Sequence, residues 1–361
     1  MASVDRRANG KWRARWREYP GGPQKTRSFD RKIDAQRWLT KVEHDLMTGG
    51  YVDPSAGQLI VRTYSESWLS RRHWRPSTRD RIERELRLHI LPSFGNRPLA
   101  AIRRSDIEQW VAVLEMQASS ARRVAETFAT MLRAAVDDGL IARNPAERAL
   151  LPTDERAPVV PLEATEVRAI THAALEPMRA AIVLSAGTGL RQGEAMAVTA
   201  DRVDFLRREV RIDRQLWTPS DGPPVFAVPK SKRGYRTIAL SELVVDTLAA
   251  HMAAFGPGKD GLLFHTQGRP IGRATLSQRF KRAATAAGVV ATWHDLRHHH
   301  ASVLLSAGVS PALVAERLGH DVKTLLATYA HVIRADEDRV RSIVDATLGG
   351  TAEDWLRTEA V

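Results

Sequence analysis

A stretch of ten residues at 152–161, P-T-D-E-R-A-P-V-V-P, divides the chain into two parts of different character. It contains three prolines and three charged side chains, a composition that favours neither a helix nor a central strand. A chain of 361 residues is too long for one hydrophobic core and is expected to form two or three domains. We therefore predict that this stretch is a linker and that the 200 residues after it form a C-terminal domain.

Upstream of this linker, the signals are helical as far back as a second loop signal, Y-V-D-P-S-A-G at 51–57. Apolar side chains recur at helical spacing, which predicts an all-helical bundle of four or five helices over 58–153. The second helix is expected to stop at Pro92, and Ser105 with Glu108 is expected to form a capping box on the third. The predicted helices cover 61–70, 77–90, 105–116 and 119–138.

The first 57 residues have the pattern of a small separate module. In G-K-W-R-A-R-W-R at 10–17, cations alternate with aromatic or small residues, which is the two-residue period of a strand. A turn signal, P-G-G-P at 20–23, and a second strand-like segment at 25–29 follow. An amphipathic helix is then expected over 34–47. The module is therefore predicted to be a β-sheet packed on one helix.

The charge balance points to the kind of partner. The chain has 54 Lys and Arg against 42 Asp and Glu, a net charge of +12, and nucleic acid is the commonest partner of such a protein. Residues 1–57 alone hold 12 Lys and Arg against 7 Asp and Glu, and a cationic β-ribbon can enter the major groove of DNA. A solvated basic face is the alternative interpretation. The predicted DNA-binding side chains of the module are Lys11, Arg13, Arg15, Arg17, Lys25 and Arg27.

Composition also excludes several classes of protein. The chain has no cysteine, which rules out disulfides, cysteine nucleophiles and thiolate zinc sites, and fits a reducing cytoplasm. Residues 1–10 lack the apolar segment of a signal peptide, and no run of about 18 apolar residues could span a membrane. We therefore expect a cytoplasmic protein without a membrane partner.

The C-terminal domain is predicted over 154–361 as mainly helical with a small antiparallel sheet, so the whole chain is a multidomain α+β protein. Strand-like segments lie at 209–212, 224–228 and 235–240, and the cationic residues at 229–234 are expected to form a hairpin between the last two. The predicted helices cover 164–175, 178–185, 241–254, 274–287, 296–307, 311–318 and 324–330.

Side chains suited to phosphate chemistry concentrate towards the C-terminus. His294 and Arg297 are three residues apart and would share one face of a helix. His320 follows an L-G helix-end signal, and nine residues later comes Tyr329, one of only five tyrosines. An arginine, two histidines and a hydroxyl nucleophile suggest attack on a phosphodiester. Such a site needs a second arginine, and Arg191 at an expected helix N-terminus is placed to bind an anion.

Five motifs in one order then carry a family resemblance: T-G-L-R-Q-G-E, P-K-S-K-R-G-Y-R-T-I-A-L, H-D-L-R-H-H-H-A-S, L-G-H and T-Y-A-H. The chain closely resembles the tyrosine site-specific recombinases, and among them the integrases of phages and mobile elements. The resemblance is strong over the C-terminal domain and moderate over the helical bundle. Residues 1–57 are similar to the arm-site-binding domains of such integrases, a three-stranded sheet plus a helix, in size, position and pattern.

The resemblance implies a role for each matched residue. Arg191 and Arg297 would clamp the oxygens of the scissile phosphate, and Tyr329 would attack it to form a 3′-phosphotyrosyl link and release a 5′-hydroxyl. Lys230 would be the general acid for that 5′ oxygen, with Lys232 as the alternative in the same segment.

The same resemblance implies supporting roles. His294 and His320 would hydrogen-bond the phosphate and assist proton transfer, and Glu194 would orient its neighbours. The run from His298 to His300 invites a metal interpretation, but consecutive helical residues fan out by about 100° and cannot converge on one ion. We therefore expect no metal, and these histidines are predicted to pack or to lie near phosphate.

The family resemblance also implies the course of the reaction and its partners. Strand exchange would need neither ATP nor a cofactor, would pass through a Holliday junction and would use four protomers on two duplexes. The expected partners are core-type and arm-type double-stranded DNA sites, a host DNA-bending protein and an excision directionality factor, in the nucleoid of a bacterial host.

Other functions stay open at this point. A chromosome-dimer or element resolvase would use the same chemistry, but those relatives generally lack an arm-binding module. A type IB topoisomerase would relax supercoils without strand exchange. A non-enzymatic DNA-binding protein on the same fold predicts that at least one catalytic position is missing, whereas all six are present.

Overall fold

The computed structural model describes residues 2–48, 50–53, 56–152, 160–333 and 337–356. The chain forms two compact units, Met1–Glu155 and Arg156–Val361. Helices dominate, and the strands pair antiparallel in small sheets, which confirms the predicted multidomain α+β class. Most of the predicted linker at 152–161 lies outside the described residues, as do residues 54 and 55 of the predicted loop at 51–57. No described helix has the length and apolar character needed to cross a membrane.

The first unit begins with a three-stranded sheet in the order β1-β2-β3, covered by one helix. Ala14 and Trp16 of the central strand are buried against the helix residues Ala35, Leu39 and Val42. The first strand has only one apolar residue, so the two-residue period could not reveal it. The elements are β1 (Ser3–Arg6), β2 (Trp12–Arg17), β3 (Gln24–Phe29) and α1 (Lys32–Met47).

A helical bundle follows in the same unit, and it corrects two predictions. The helix does not stop at Pro92: a π-helical segment, Leu86–Ile90, leads into α4 (Leu91–Phe94), where proline occupies the first turn and needs no amide hydrogen. The third long helix begins at Arg104, where the Asp106 carboxylate accepts from the amide of Arg103 at 2.8 Å. The predicted Ser105–Glu108 capping box is therefore wrong. The elements are α2 (Val61–Arg71), α3 (Pro76–Glu85), α4 (Leu91–Phe94), α5 (Arg104–Ala112) and α6 (Ala118–Asp137).

The second unit is built around one apolar helix, α8, which is buried along most of its length and packs against α7, α10 and α12. Its helices are α7 (Ala164–Ala173), α8 (Glu176–Thr188), α9 (Gln192–Ala195), α10 (Glu242–Phe255), α11 (Arg273–Ala286), α12 (Trp293–Ser306), α13 (Pro311–Leu318), α14 (Val322–Ile333), α15 (Glu337–Leu348) and α16 (Ala352–Leu356). The last two lie beyond the helices predicted from the sequence.

The strands of this unit form three small sheets, ordered β4-β5-β8, β6-β7 and β9-β10. The strand before residues 229–234 pairs with β6, and the strand after them pairs with β5. The predicted hairpin at 229–234 is therefore wrong, and the segment, which we call the connector, joins two different sheets. The strands are β4 (Val203–Asp204), β5 (Glu209–Ile212), β6 (Gln215–Trp217), β7 (Val225–Ala227), β8 (Arg236–Ala239), β9 (His265–Thr266) and β10 (Arg269–Pro270).

Candidate active site

The tight turn after α8 brings two parts of the site together. Gly189 ends the helix with φ of +67°, a conformation that glycine adopts without strain. A Cβ at this position would lie 2.4 Å from a methyl carbon of Leu318 and 2.8 Å from the ring of His300. The turn therefore packs closely against α12 and the end of α13, and a larger residue would push these elements apart.

Arg191 follows this turn at the start of the short helix α9. Its Nη1 donates to Glu194 Oε1 at 2.8 Å, and its Nη2 donates to the carbonyl oxygen of Gly319 at 3.0 Å. The side chain is 38% exposed. The guanidinium group is therefore held from two sides and still reaches the surface, where it can meet a ligand.

Glu194 is buried between two arginines. Arg236 donates through Nη2 to its Oε2 at 2.8 Å and through Nε to the carbonyl of Arg317 at 2.6 Å. Burial alone would raise the pKa of Glu194, but the hydrogen bond and charge of Arg236 and the charge of Arg191 outweigh it and hold that pKa below its usual value. The carboxylate is therefore ionised, and it bonds to Arg191, one of the neighbours that it was predicted to orient. Arg236 belongs to the motif P-K-S-K-R-G-Y-R-T-I-A-L, but its role in this network was not predicted.

Arg297 is the most enclosed cation of the site, with 1% exposure. Its Nη1 donates to the carbonyl of Gly189 and its Nη2 to the carbonyl of Leu318, both at 2.6 Å. Burial, with a contribution from the charge of Arg191, lowers the pKa of Arg297 to about 9, so it stays protonated at neutral pH. Its Nε is buried and has no partner among the described residues, which leaves the N–H of this nitrogen for a ligand.

The two predicted histidines lie beside these arginines. His294 is in the first turn of α12, and His320 follows Gly319, whose φ of +63° ends α13. Burial, then the charges of Arg297 and Arg191, lower the pKa of His320 to about 3. The ring of His294 is open to solvent on one side, but desolvation by its neighbours and the charges of His298 and Arg297 also lower its pKa. Both rings are therefore neutral at physiological pH.

Tyr329 lies on α14 and is 1% exposed. Its ring belongs to a small apolar cluster with Leu305, Val314 and Leu318. Its hydroxyl oxygen is 2.7 Å from Nδ1 of His298, a hydrogen bond that the sequence did not predict. Burial raises the pKa of Tyr329 to about 12, although the charge of Arg297 acts in the opposite direction. The phenol is therefore protonated and screened from water.

Lys230 is the one predicted catalytic side chain that the structure does not bring into this cluster. It is exposed in the connector and forms no hydrogen bond or ion pair with any described residue. Lys232 is exposed as well. The connector is nevertheless tied to the site, because Arg233 forms an ion pair with Asp321, the neighbour of His320. Both lysines are therefore carried by a segment that is attached to the site at one end.

The other two histidines of the run bind backbone carbonyls. Nδ1 of His299 lies 2.6 Å from the carbonyl oxygen of Leu162, and Nδ1 of His300 lies 3.0 Å from that of Ala186. Both therefore have a packing role. In the part of the chain that the structure describes, no group of three potential metal ligands converges.

The predicted DNA-binding side chains of the first module divide between the two faces of its sheet. Residues paired across a sheet share a face, and Arg27 and Lys25 pair with the buried Ala14 and Trp16. These two cations therefore lie on the helix side, where Arg27 stacks over Trp38 at 4.2 Å and Lys25 forms ion pairs with Glu18 and Asp53.

The cations of the central strand lie on the open face of the same sheet. Arg13 and Arg15 both bond to Asp5, at 2.7 and 2.5 Å, and Arg17 donates to the carbonyl of Gly22. Lys11 lies in the turn before the strand, 3.3 Å from Asp30. The structure therefore does not place the six predicted DNA contacts on one surface, and the open face holds three of them.

Comparison with known proteins adds a family and relatives. Residues 161–335 match the phage integrase family, and residues 61–150 match the phage integrase central domain. The chain is 26% identical over 352 residues to the prophage phiRv2 integrase of Mycobacterium tuberculosis. The aligned residues cover 93% of this chain and 92% of that protein.

Two solved structures have a similar fold. The Tn1549 transposon integrase in complex with transposon right-end DNA has a TM-score of 0.68 at 22% identity, and the match covers 81% of this chain and 100% of that one. A lambda integrase tetramer bound to a Holliday junction has a TM-score of 0.59 at 19% identity, covering 88% and 95%.

Proposed function

This chain belongs to the phage integrase family of tyrosine recombinases, and we propose that Tyr329 is the nucleophile with which it cuts and rejoins DNA. The protein is a site-specific recombinase of the integrase type. The observation that carries the residue assignment is the convergence of Arg191 and Arg297 on the backbone carbonyls of one turn and one helix end, with His294, His320 and Tyr329 beside them.

The two arginines form the phosphate clamp. Backbone carbonyls fix Arg297, and the carbonyl of Gly319 together with the carboxylate of Glu194 fixes Arg191, which shares that carboxylate with Arg236, so the site keeps a positive charge before DNA arrives. The oxygens of a scissile phosphate would accept hydrogen bonds from Nε of Arg297 and from the exposed edge of the Arg191 guanidinium group. Preorganised donors of this kind stabilise the charge that develops in phosphoryl transfer.

The neutral histidines complete the clamp. A neutral imidazole offers one N–H donor, which can bind a non-bridging phosphate oxygen without adding charge. Nδ1 of His320 is buried and has no partner among the described residues, so a ligand can satisfy it. His294, which is open to solvent on one side, would approach the phosphate from the surface.

The reaction exchanges one bond to phosphorus for another, and the proton of the Tyr329 phenol passes to a base of the protein. The Tyr329 oxygen bonds to phosphorus, the bond from phosphorus to the 5′ oxygen breaks, and Lys230 gives that oxygen a proton. A 5′-hydroxyl of the partner duplex later reverses the step. The phosphodiester energy is kept in the tyrosyl link, so we propose that the chemistry needs no ATP and no metal. Because Lys230 is exposed, its delivery to the site would follow closure of the connector on DNA.

We propose the same partners and domain division for this chain as predicted from its sequence. Residues 1–57 would bind arm-type DNA, residues 58–153 core-type DNA, and residues 154–361 would hold the active site. A synaptic tetramer is supported by α15, whose exposed apolar side chains Val340, Ile343, Val344 and Leu348 recur at helical spacing. A host DNA-bending protein, an excision factor and a nucleoid location stay predictions.

A trapped covalent adduct tests the nucleophile. The substrate is a nicked duplex that spans the attachment core. The sequence of this core is read from the junctions between the integrated element and its host chromosome. The nick releases a short strand after cleavage, so the protein–DNA link accumulates and is counted on a denaturing gel. We expect the wild-type chain to form the adduct and Tyr329→Phe to form none.

Tyr19→Phe is the matched control, because Tyr19 is 59% exposed and lies in the first module, and it should form the adduct at the wild-type rate. Adduct formation by Tyr329→Phe would show that another residue is the nucleophile. Arg191→Lys should lower the rate at least about 100-fold, because the removal of one preorganised donor typically costs that much.

A further inference from the structure

His298 is a partly buried, titratable side chain that the proposed mechanism does not use. It lies four residues after His294 on α12, and the two rings meet edge to face with centroids 4.6 Å apart. Its Nδ1 is 2.7 Å from the hydroxyl oxygen of Tyr329, and the two rings have centroids 5.7 Å apart. Among the described residues, no other side chain forms a hydrogen bond with that hydroxyl.

The geometry points to His298 as the proton acceptor that activates Tyr329, an inference that rests on the proposed role of Tyr329 as nucleophile. The hydroxyl is enclosed by an apolar cluster and is nearly inaccessible to solvent, so bulk water cannot take its proton. A base must therefore come from the protein, and Nδ1 of His298 is already at hydrogen-bond distance.

The protonation states suit this role. Burial, the largest influence, and the charge of Arg297 lower the pKa of His298, so its ring is neutral at physiological pH and can carry its proton on Nε2. The Nδ1 lone pair then accepts the phenol O–H. The charge of Asp295, one turn earlier on the same helix, raises the pKa of His298 and so favours the imidazolium ion once it forms.

His298 takes up a proton in the first half of the reaction and gives it back in the second. As the Tyr329 oxygen bonds to phosphorus, its proton moves to Nδ1 of His298, and the electron pair of the breaking bond leaves with the 5′ oxygen. When an incoming 5′-hydroxyl later attacks, the bond between phosphorus and Tyr329 breaks, and His298 returns the proton to the phenolate. No oxidant, reductant or further reactant is needed.

Two substitutions separate a base from a mere anchor. His298→Asn keeps a hydrogen-bond acceptor close to the position of Nδ1 but is not basic, and His298→Phe fills the space without an acceptor. Adduct formation is followed in single turnover on the nicked attachment duplex. We expect both variants to be slowed about 100-fold or more, a typical contribution of general base catalysis.

His299→Asn is the matched control, because His299 is the next residue on the helix and its ring nitrogen bonds to the backbone carbonyl of Leu162, away from Tyr329. It should form the adduct at the wild-type rate. DNA affinity and the thermal midpoint are measured for every variant, and if His298→Phe does not fold, His298→Asn decides the question. A wild-type rate in His298→Asn would reduce His298 to an anchor and overturn the inference.

A duplex with sulfur in place of the bridging 5′ oxygen identifies the side of the reaction on which His298 acts. The thiolate leaves without a proton, so the substrate should restore cleavage by Lys230→Ala, whose defect concerns the leaving group. It should not restore His298→Asn, because the nucleophile still needs its base. Restoration of His298→Asn would place His298 on the leaving-group side and contradict the inference. An absent wild-type adduct, in contrast, would overturn the proposed function itself.

Discussion

At the scale of single residues, the site depends on how two guanidinium groups are held. Arg297 bonds to two backbone carbonyls, whereas Arg191 shares the carboxylate of Glu194 with Arg236. The network therefore contains three guanidinium cations and the single carboxylate of Glu194, so it keeps an excess of positive charge. A buried excess of charge costs stability, and a bound phosphate would offset that cost.

His300 leads to a prediction about the pH dependence of stability. It is 6% exposed, and burial, with the charge of Arg317, lowers its pKa to about 4. The unfolded chain takes up this proton near pH 6.5, whereas the folded chain does so only near pH 4. The free energy of unfolding should therefore fall as the pH drops from about 6.5 to about 4, by at most about 1.4 kcal/mol per pH unit from this group.

Urea unfolding across this pH range measures the effect. His300→Gln removes the titrating ring and should flatten the slope, whatever its effect on stability at pH 7. His172→Gln, at an exposed position on α7, should keep the wild-type slope. An equal slope in His300→Gln and the wild-type chain would contradict the prediction.

At the scale of elements, the site is assembled from helix ends. The end of α8 and the end of α13 each have a glycine with positive φ, and their last carbonyls receive the guanidinium donors. Helix C-termini carry partial negative charge, which favours a cation there. Main-chain carbonyls therefore place Arg297, and together with the buried Glu194 they place Arg191, which suits a site that must keep its geometry while DNA strands are exchanged.

The sheet of the first module leads to a prediction about DNA binding. Arg13, Arg15 and Arg17 share its open face, so their joint replacement by Gln should weaken binding to arm-type DNA. Each lost phosphate contact should also reduce the salt dependence of binding, by about 0.9 in the slope of log K against log salt concentration. Titration of the full chain with a labelled duplex at several salt concentrations measures both effects.

A control with the same change of charge uses three exposed cations at the start of or along α1, namely Arg31, Arg37 and Lys41, each replaced by Gln. This variant should bind more tightly than the strand variant and keep more of the salt slope. Equal losses in the two variants would mean that the module binds DNA only through its total charge, without a preferred face.

At the scale of the whole molecule, the outer apolar side of α15 leads to a prediction about assembly. Ile343 is 55% exposed, so Ile343→Glu should barely affect the fold of one protomer while it disfavours apolar contact with a second one. We expect this variant to bind a single core site normally but to lose the tetramer on paired attachment duplexes. Analytical ultracentrifugation of the protein–DNA complexes distinguishes the two outcomes.

Ser342→Glu introduces the same charge on the side of the same helix that faces away from the apolar stripe, and it serves as the control. It should retain the tetramer. If Ile343→Glu assembles as well as Ser342→Glu does, the apolar side of α15 is not the contact between protomers.

Much of the fold follows from short-range patterns in the sequence. The period of apolar residues predicts α2, α6 and α13 to within a residue or two, because helix formation depends on neighbours three and four positions away. The strand β1 was missed because four residues with one apolar side chain show no period. The hairpin at 229–234 was wrong because strand pairing depends on distant partners, here β5 and β6.

By itself, the sequence determined which side chains are available for phosphate chemistry and the order in which the chain presents them. Only the tertiary structure decided which of them meet: Arg236 lies 42 residues from Glu194 along the chain, and Tyr329 lies 31 residues from its partner His298. Motif spacing reports local conformation, whereas a hydrogen bond between distant residues depends on how whole helices pack. For that reason Tyr329 was identifiable from its motif, but the side chain that holds its hydroxyl was not.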